Sequence, residues 1–295
     1  MSRREDRRGH RKALRERLSA EEVAELGLEL KAGDDHYRAF VGPPATYDIL
    51  GGLQFELLFD LGLREYHRVL DIGCGSVRLG RLLIPFLLPG RYYGIEPNRN
   101  LVIEGLKHHF GGGESGEVVR AKRPVFAPNA DFDFSFVGEP IDFIMAQSIA
   151  SHTGVAETKQ LFRSIASACH AGTIAVVTYC RCRTLAEQNT RDGWFYPKRV
   201  HYADEFLAGL ADSVGLLAYR SCWPLANDRG GGTLVSWQTP LILTKSAWQP
   251  PAAQLRAGAS APVRGSRPGR ERCPADGNEP VLLNGRPAVD DVPGK

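Results

Sequence analysis

The stretch VLDIGCGSVRLGRLLIP, Val69 to Pro85, decides how this chain is read. Three apolar residues, Val69, Leu70 and Ile72, interrupted only by Asp71, lead directly to Gly73 and Gly75; Leu79, Leu82, Leu83 and Phe86 then recur at three-to-four spacing until Pro89-Gly90 ends the pattern. A short continuous apolar run is the mark of a strand covered on both faces, and the three-to-four recurrence is that of a helix with one apolar side. The two glycines therefore sit in the turn from strand to helix.

The pattern repeats outward from this unit. Tyr92 to Ile95 reads as a second strand, and Asn98 opens a second helix through Leu101, Leu106 and His109. Ile141 to Ala146 and Thr173 to Tyr179 are further buried strands, separated by an amphipathic segment carrying Leu161, Phe162, Ile165 and Ala166. Strands alternating with helices predict a mainly parallel sheet with helices on both faces. Toward the end the alternation fails. Phe206 to Val214 reads as a helix, but Leu216 to Cys222 and Leu234 to Leu243 are two strands joined only by the loop PLANDRGGG. Strands joined without a helix are expected to be antiparallel neighbours.

Composition sets the frame around this core. Of 295 residues 43% are hydrophobic and 24% charged, with a formal net charge of +3, so no partner is implied by total charge. No apolar run approaches the roughly 18 residues of a membrane span, and MSRREDRRGHRKALRERL is expected to be neither signal nor anchor. Cys74, Cys169, Cys180, Cys182, Cys222 and Cys273 are scattered rather than arranged as a disulfide framework, which fits a reducing cytoplasm. Residues 1–35 read as a charged N-terminal helical arm with a start signal at Ser19-Ala20-Glu21-Glu22. Residues 36–248 form the expected domain. The Pro-, Gly- and Arg-rich residues 249–295 are expected to stay disordered, leaving Cys273 an exposed thiol.

In a Rossmann-like unit a ligand lies where the first strand passes into the first helix, so Gly73 and Gly75 mark positions where side chains would collide with it. The dinucleotide fingerprint G-x-G-x-x-G is incomplete, because Arg78 replaces its third glycine. Glu96 closes the second strand, and a carboxylate there accepts hydrogen bonds from a ribose diol.

With these residues in place, VLDIGCGS followed by YYGIEPN resembles motifs one and two of the class I S-adenosylmethionine-dependent methyltransferases, over roughly Tyr47 to Lys245. YDILGGLQFELLFDLGL and AQSIASHT are similar to a bacterial group within that superfamily whose substrates are mostly unassigned. The resemblance implies an α/β, Rossmann-like, doubly wound seven-stranded sheet, mostly parallel with an antiparallel last strand. It implies S-adenosyl-L-methionine as cofactor and methylation of oxygen, nitrogen or carbon on a small molecule. Carried over by position, Asp71, Gly73 and Gly75 would line the methionine end and Glu96 would hold the ribose. Ile95, Pro97 and Asn98 would flank the adenosine, with Cys74 and Gln147 also among the cofactor-binding positions. Both Asp131 and Asp133 could supply the acidic residue after the third strand, and Asp131 is preferred. Val77 departs from the glycine common at its place.

Methyl transfer requires alignment, exclusion of water and, where needed, a base. Gln147, Ser148, Ser151 and His152 follow the fourth strand; His152 is either a general base or, with Ser151 and Thr153, part of a helix cap. Ala146-Gln147-Ser148-Ile149 lacks the Asn- or Asp-Pro-Pro-aromatic pattern of base-amine methyltransferases, which disfavours nucleic acid. Tyr37, Tyr47, Gln54, Trp194, Tyr196 and His201 are candidate substrate-pocket residues, on segments where lids are built. Cys180, Cys182 and Cys222 fall short of a zinc pattern, so no metal is expected. Two rival readings remain: a non-catalytic adenosyl-cofactor or partner-binding protein, and a nicotinamide-dependent oxidoreductase, which Arg78 and the reversed terminal strands disfavour.

Overall fold

The computed structural model describes residues 17–221, 238–248 and 281–284. The arginine-rich start of the arm, the PLANDRGGG loop, Cys222, Cys273 and nearly all of the expected tail lie outside these residues. The described part of the arm holds a single six-residue helix, α1 (Ala20–Glu25), followed by turns. Its start is the one the sequence marks: Ser19 Oγ accepts the Glu22 N–H while the Glu22 carboxylate accepts the Ser19 N–H.

The remaining elements follow in chain order: α2 (Tyr47–Asp60), β1 (Val69–Ile72), α3 (Gly80–Phe86), β2 (Tyr92–Ile95), α4 (Arg99–Phe110), α5 (Glu117–Lys122), β3 (Val125–Ala127) and β4 (Phe143–Ala146). After them come α6 (Val155–Ala168), β5 (Ile174–Arg181), β6 (His201–Tyr202), α7 (Asp204–Ser213), β7 (Leu217–Arg220), β8 (Gln238–Thr244) and β9 (Val281–Leu282). Among the described residues the sheet order is β3-β2-β1-β4-β5-β8-β7-β9, with β6 paired to β5. Strands β1 to β5 are mutually parallel where they pair, and β8 runs antiparallel to both β5 and β7. This is a Rossmann-like doubly wound sheet. Its order reverses between β1 and β4, which opens a crevice beyond the carboxyl ends of those strands.

The seven strands expected are present, and the two additions are short. β6 continues the edge of β5 with Cys180 opposite His201 and Arg181 opposite Tyr202. β9 lies inside the segment expected to be disordered, so that expectation fails for residues 281–284. There Leu282 pairs with Tyr219, and Asn284 bonds the Ala218 N–H and the Leu216 carbonyl, which satisfies the outer edge of β7.

Both faces of the sheet are covered, as a parallel sheet requires. On one face Leu70 and Ile72 pack with Leu161, Phe162 and Ile165 of α6 and Leu207 of α7. On the other, Val69 packs with Leu57 and Leu58 of α2, Leu83 and Ile84 of α3, and Leu106 of α4. Alternation along β1 puts Asp71 on this second face, a fact that controls its role below.

Candidate active site at the switch point

The turn leaving β1 is built from backbone conformations with positive φ: Gly73 at +68°, Gly75 at +56° and Val77 at +53°. A Cβ on Gly73 would lie 2.3 Å from Ile149 Cδ1, and one on Gly75 would lie 2.5 Å from Val41 Cγ1. The two glycines thus serve both the turn and the close approach of covering segments. Val77 is fully buried in the α2–α4 core, and that burial offsets the strain of a β-branched residue in a left-handed turn.

Above the turn is a cavity of about 310 Å³. Gly73, Gly75, Glu96, Pro97, Gln147 and Ser148 line it from the strand ends; Phe40, Val41 and Pro43 line it from one covering segment, and Trp194, Tyr196, Pro197 and Arg199 from the other. The two segments meet where the Tyr196 hydroxyl donates to the Phe40 carbonyl.

Glu96 joins two elements at the cavity wall. One carboxylate oxygen accepts the Gly75 N–H at 3.1 Å, and the other accepts the Asn98 N–H at 2.9 Å. Burial pushes this carboxyl above its ordinary range, while the two N–H bonds pull it back. Asn98 itself caps α4, its side chain accepting the Leu101 N–H, and it does not line the cavity.

Strand β3 ends at Ala127, and the residues after it divide between the cavity and the surface. Asn129, Ala130 and Phe132 line the cavity. Asp131 is exposed and faces a neighbouring depression that also holds Asp133, so its expected cofactor contact is corrected. Phe132, with φ +58°, occupies the inward place, and its ring lies 5.8 Å from that of Trp194. Asn129 Nδ2 donates to the Asp133 carbonyl, and Asn129 Oδ1 is buried without a partner among the described residues.

The ends of β4, β5 and β8 converge in a polar cluster. Ser148 N–H donates to Thr178 Oγ1 at 2.8 Å, Gln238 Nε2 donates to Ser148 Oγ at 2.7 Å, and the Thr178 hydroxyl donates to Gln238 Oε1. Gln147 Nε2 reaches Ser148 Oγ and Gln238 Oε1, both at 3.3 Å. That leaves Gln147 Oε1 buried and without a partner among the described residues, at the cavity wall. Gln238 escaped the sequence reading although a signal existed: a reversed strand begins where the parallel strands end.

His152 also lines the cavity. Its Nδ1 stands 2.6 Å from the Lys198 carbonyl, which can only accept, so Nδ1 carries the proton and Nε2 is the basic nitrogen. Burial lowers its pKa below the ordinary histidine value. The capping alternative is not what the fold uses: Gly154 is the N-cap of α6 with no side-chain cap, and the Ala156 N–H is taken by Asp192.

Other expected site residues fall elsewhere. Asp71 is buried beneath the turn, where it accepts the Tyr92 hydroxyl at 2.8 Å, and burial raises it to about 7. Cys74 is buried against Gly94. Tyr47, the first residue of α2, is buried with its hydroxyl donating to the Ser76 carbonyl, Tyr37 stacks on His108, and His201 is exposed on β6. Gln54 stays behind the wall and accepts Arg78 Nε. Arg78 does line the cavity and was not foreseen as a site residue. Among the described residues no three potential ligands cluster to hold a metal, and no helix is long and apolar enough to cross a membrane.

No protein-family model matches this chain, and no curated protein matches it. Solved structures do. An O-methyltransferase family protein from Burkholderia thailandensis is 16% identical over 70% of this chain and 60% of its own, with a TM-score of 0.45. The chain thus spans less than two thirds of that protein. Magnesium protoporphyrin IX methyltransferase from Synechocystis, solved with bound SAM, is 15% identical over 80% of this chain and 97% of its own, with a TM-score of 0.47. The CcbJ methyltransferase from Streptomyces caelestis is 14% identical over 68% and 90%, with a TM-score of 0.45.

Proposed function

We propose that the cavity binds S-adenosylmethionine and that the protein transfers its methyl group to oxygen, nitrogen or carbon of a small molecule, releasing S-adenosylhomocysteine. The observation that carries this reading is Glu96, a desolvated carboxylate held by two backbone N–H groups at the cavity wall beside a turn of positive φ. An acceptor pair fixed in this way suits a ribose diol.

The rest of the wall fits the same ligand. Asn129 Oδ1 and Gln147 Oε1 are buried acceptors without donors among the described residues, and an adenosyl amino acid brings an exocyclic amine and an ammonium group. The cavity volume lies within the usual range for small-molecule sites, about 300–1,000 Å³. When bound, the cofactor supplies an electrophilic methyl on sulfur. The chain's own residues do the remainder: Trp194 and Tyr196 cover the mouth against water, and neutral His152 offers Nε2 to take a proton from the acceptor. A base in the cavity favours an enzyme over a binder with an idle pocket. The buried free thiols Cys74, Cys169, Cys180 and Cys182 suit a reducing compartment such as the cytoplasm.

Calorimetric titration with S-adenosylhomocysteine, with NADH in parallel, tests the reading on wild type and Glu96→Gln. Micromolar binding of the former alone is expected. Replacing the charged acceptor should weaken it about tenfold to a hundredfold, the value of one hydrogen bond to a charged group. No binding, or unchanged affinity in the variant, overturns the reading.

A further inference from the structure

One buried charged side chain in the cavity wall, Arg78, makes no ion pair among the described residues. Arg78 is only 8% exposed, yet it lines the cavity. Its Nε donates to Gln54 Oε1 at 3.4 Å and its Nη1 to the Val41 carbonyl at 2.9 Å, both neutral acceptors. Of the five N–H groups a guanidinium carries, three therefore have no partner among the described residues.

The surroundings do not neutralise it. Arg38 and Arg81 sit beside it around Tyr47, and all three charges act on the Tyr47 hydroxyl. Asp48 is committed to the other two, at 2.7 Å from Arg38 and 3.0 Å from Arg81. Asp71 attracts Arg78 from beneath the turn but makes no ion pair with it; its bond is to Tyr92. A buried cation costs several kcal/mol unless an anion compensates it, so this corner is built for a negative group that the chain does not supply. The planar fork of arginine matches a carboxylate.

We propose that Arg78 is a carboxylate-binding site in the cavity wall, taking the carboxylate of a molecule held there. That group belongs either to the amino-acid end of the donor, which rests on the function proposed above, or to a carboxylate-bearing acceptor, which does not.

Titration of the full chain and of Arg78→Met separates these sources. S-adenosylhomocysteine is compared with 5′-methylthioadenosine, which has the nucleoside and thioether but no amino-acid end, and benzoate serves as the free carboxylate probe. A donor site predicts that Arg78→Met weakens S-adenosylhomocysteine by about tenfold to a hundredfold and leaves methylthioadenosine unchanged. An acceptor site predicts unchanged S-adenosylhomocysteine, with benzoate binding the saturated wild type and not the variant. Equal weakening of both nucleosides marks a merely structural role and overturns the proposal, as does no effect on either S-adenosylhomocysteine or benzoate. If wild type binds neither nucleoside, the donor reading fails by itself. Benzoate binding to the unliganded protein then decides: loss in Arg78→Met upholds the site, and no loss overturns it. Should circular dichroism show Arg78→Met unfolded, Arg78→Lys keeps the charge without the fork. It should show a smaller loss with the same discrimination between compounds, and equal effects on both overturn the proposal.

Discussion

Replacing Asp71 by asparagine should change how stability depends on pH. In the folded protein this carboxyl is pushed up to about 7, against 3.8 ordinarily, because it is enclosed on the α2–α4 face of the sheet, and the hydrogen bond from Tyr92 offsets that burial only in part. Between those two values the folded chain holds a proton that the unfolded chain has released, so stability falls as pH rises through the window. About three pH units at 1.36 kcal/mol each amount to about 4 kcal/mol. Asparagine keeps an acceptor for the Tyr92 hydroxyl and cannot ionise. Its buried NH₂ adds a cost of about 1–3 kcal/mol that is the same at every pH. Urea unfolding of both proteins at about pH 4 and about pH 8 isolates the ionisation as the change in their stability difference. The variant should gain about 4 kcal/mol relative to wild type across that interval. A difference that stays flat with pH would refute the burial argument. S-adenosylhomocysteine affinity should move less than about threefold, since Asp71 stands outside the cavity lining, and a large loss would return it to the site.

Two further outcomes follow from the same geometry. Gly105→Ala should destabilise the protein by about 1–3 kcal/mol although alanine is the better helix former by about 1 kcal/mol, because its Cβ would fall 2.2 Å from the Ser76 carbonyl oxygen and push α4 off the turn; a stabilised variant in thermal unfolding contradicts this packing. The His152 imidazole should titrate below 6.5 and be neutral at neutral pH, so any base-dependent turnover rises with pH through that lowered value and then levels off. Its Cε1–H resonance followed by NMR gives the midpoint, and a value at or above 6.5 removes the burial assignment.

Much of the architecture was legible because it is local. The apolar run at Val69, the glycines after it and the three-to-four spacing beyond are properties of neighbours in sequence, and each became the element expected. The capping of α1 by Ser19 and of α4 by Asn98 is local in the same way. The paired strands after α7 were readable from a missing helix, and the sheet indeed closes with β8 reversed between β5 and β7. The placing of Glu96 at the cavity wall needed only that a strand end there.

The failures share one cause. All four residues of β1 are buried in a sheet covered on both sides, so hydrophobicity does not tell which face Asp71 takes; the packing of α2, α3 and α4 decided that. Tyr37 and Tyr47 look like pocket aromatics because they are polar-tipped and near the turn, but they were drawn into the cluster beneath it. Phe132, through its positive φ, took the inward place expected of Asp131.

By itself, then, the sequence determined the order and kind of the elements, the turn between β1 and α3 and the reversal of the last strand, since periodicity, capping and turn chemistry act over a few residues. Tertiary structure alone decided the membership of the site. Gln147 meets Gln238 across 91 residues, and Arg78 meets Val41 across 37 and Gln54 across 24. These encounters depend on strand order and on how tightly helices settle against the glycine turn, both outcomes of packing the whole chain.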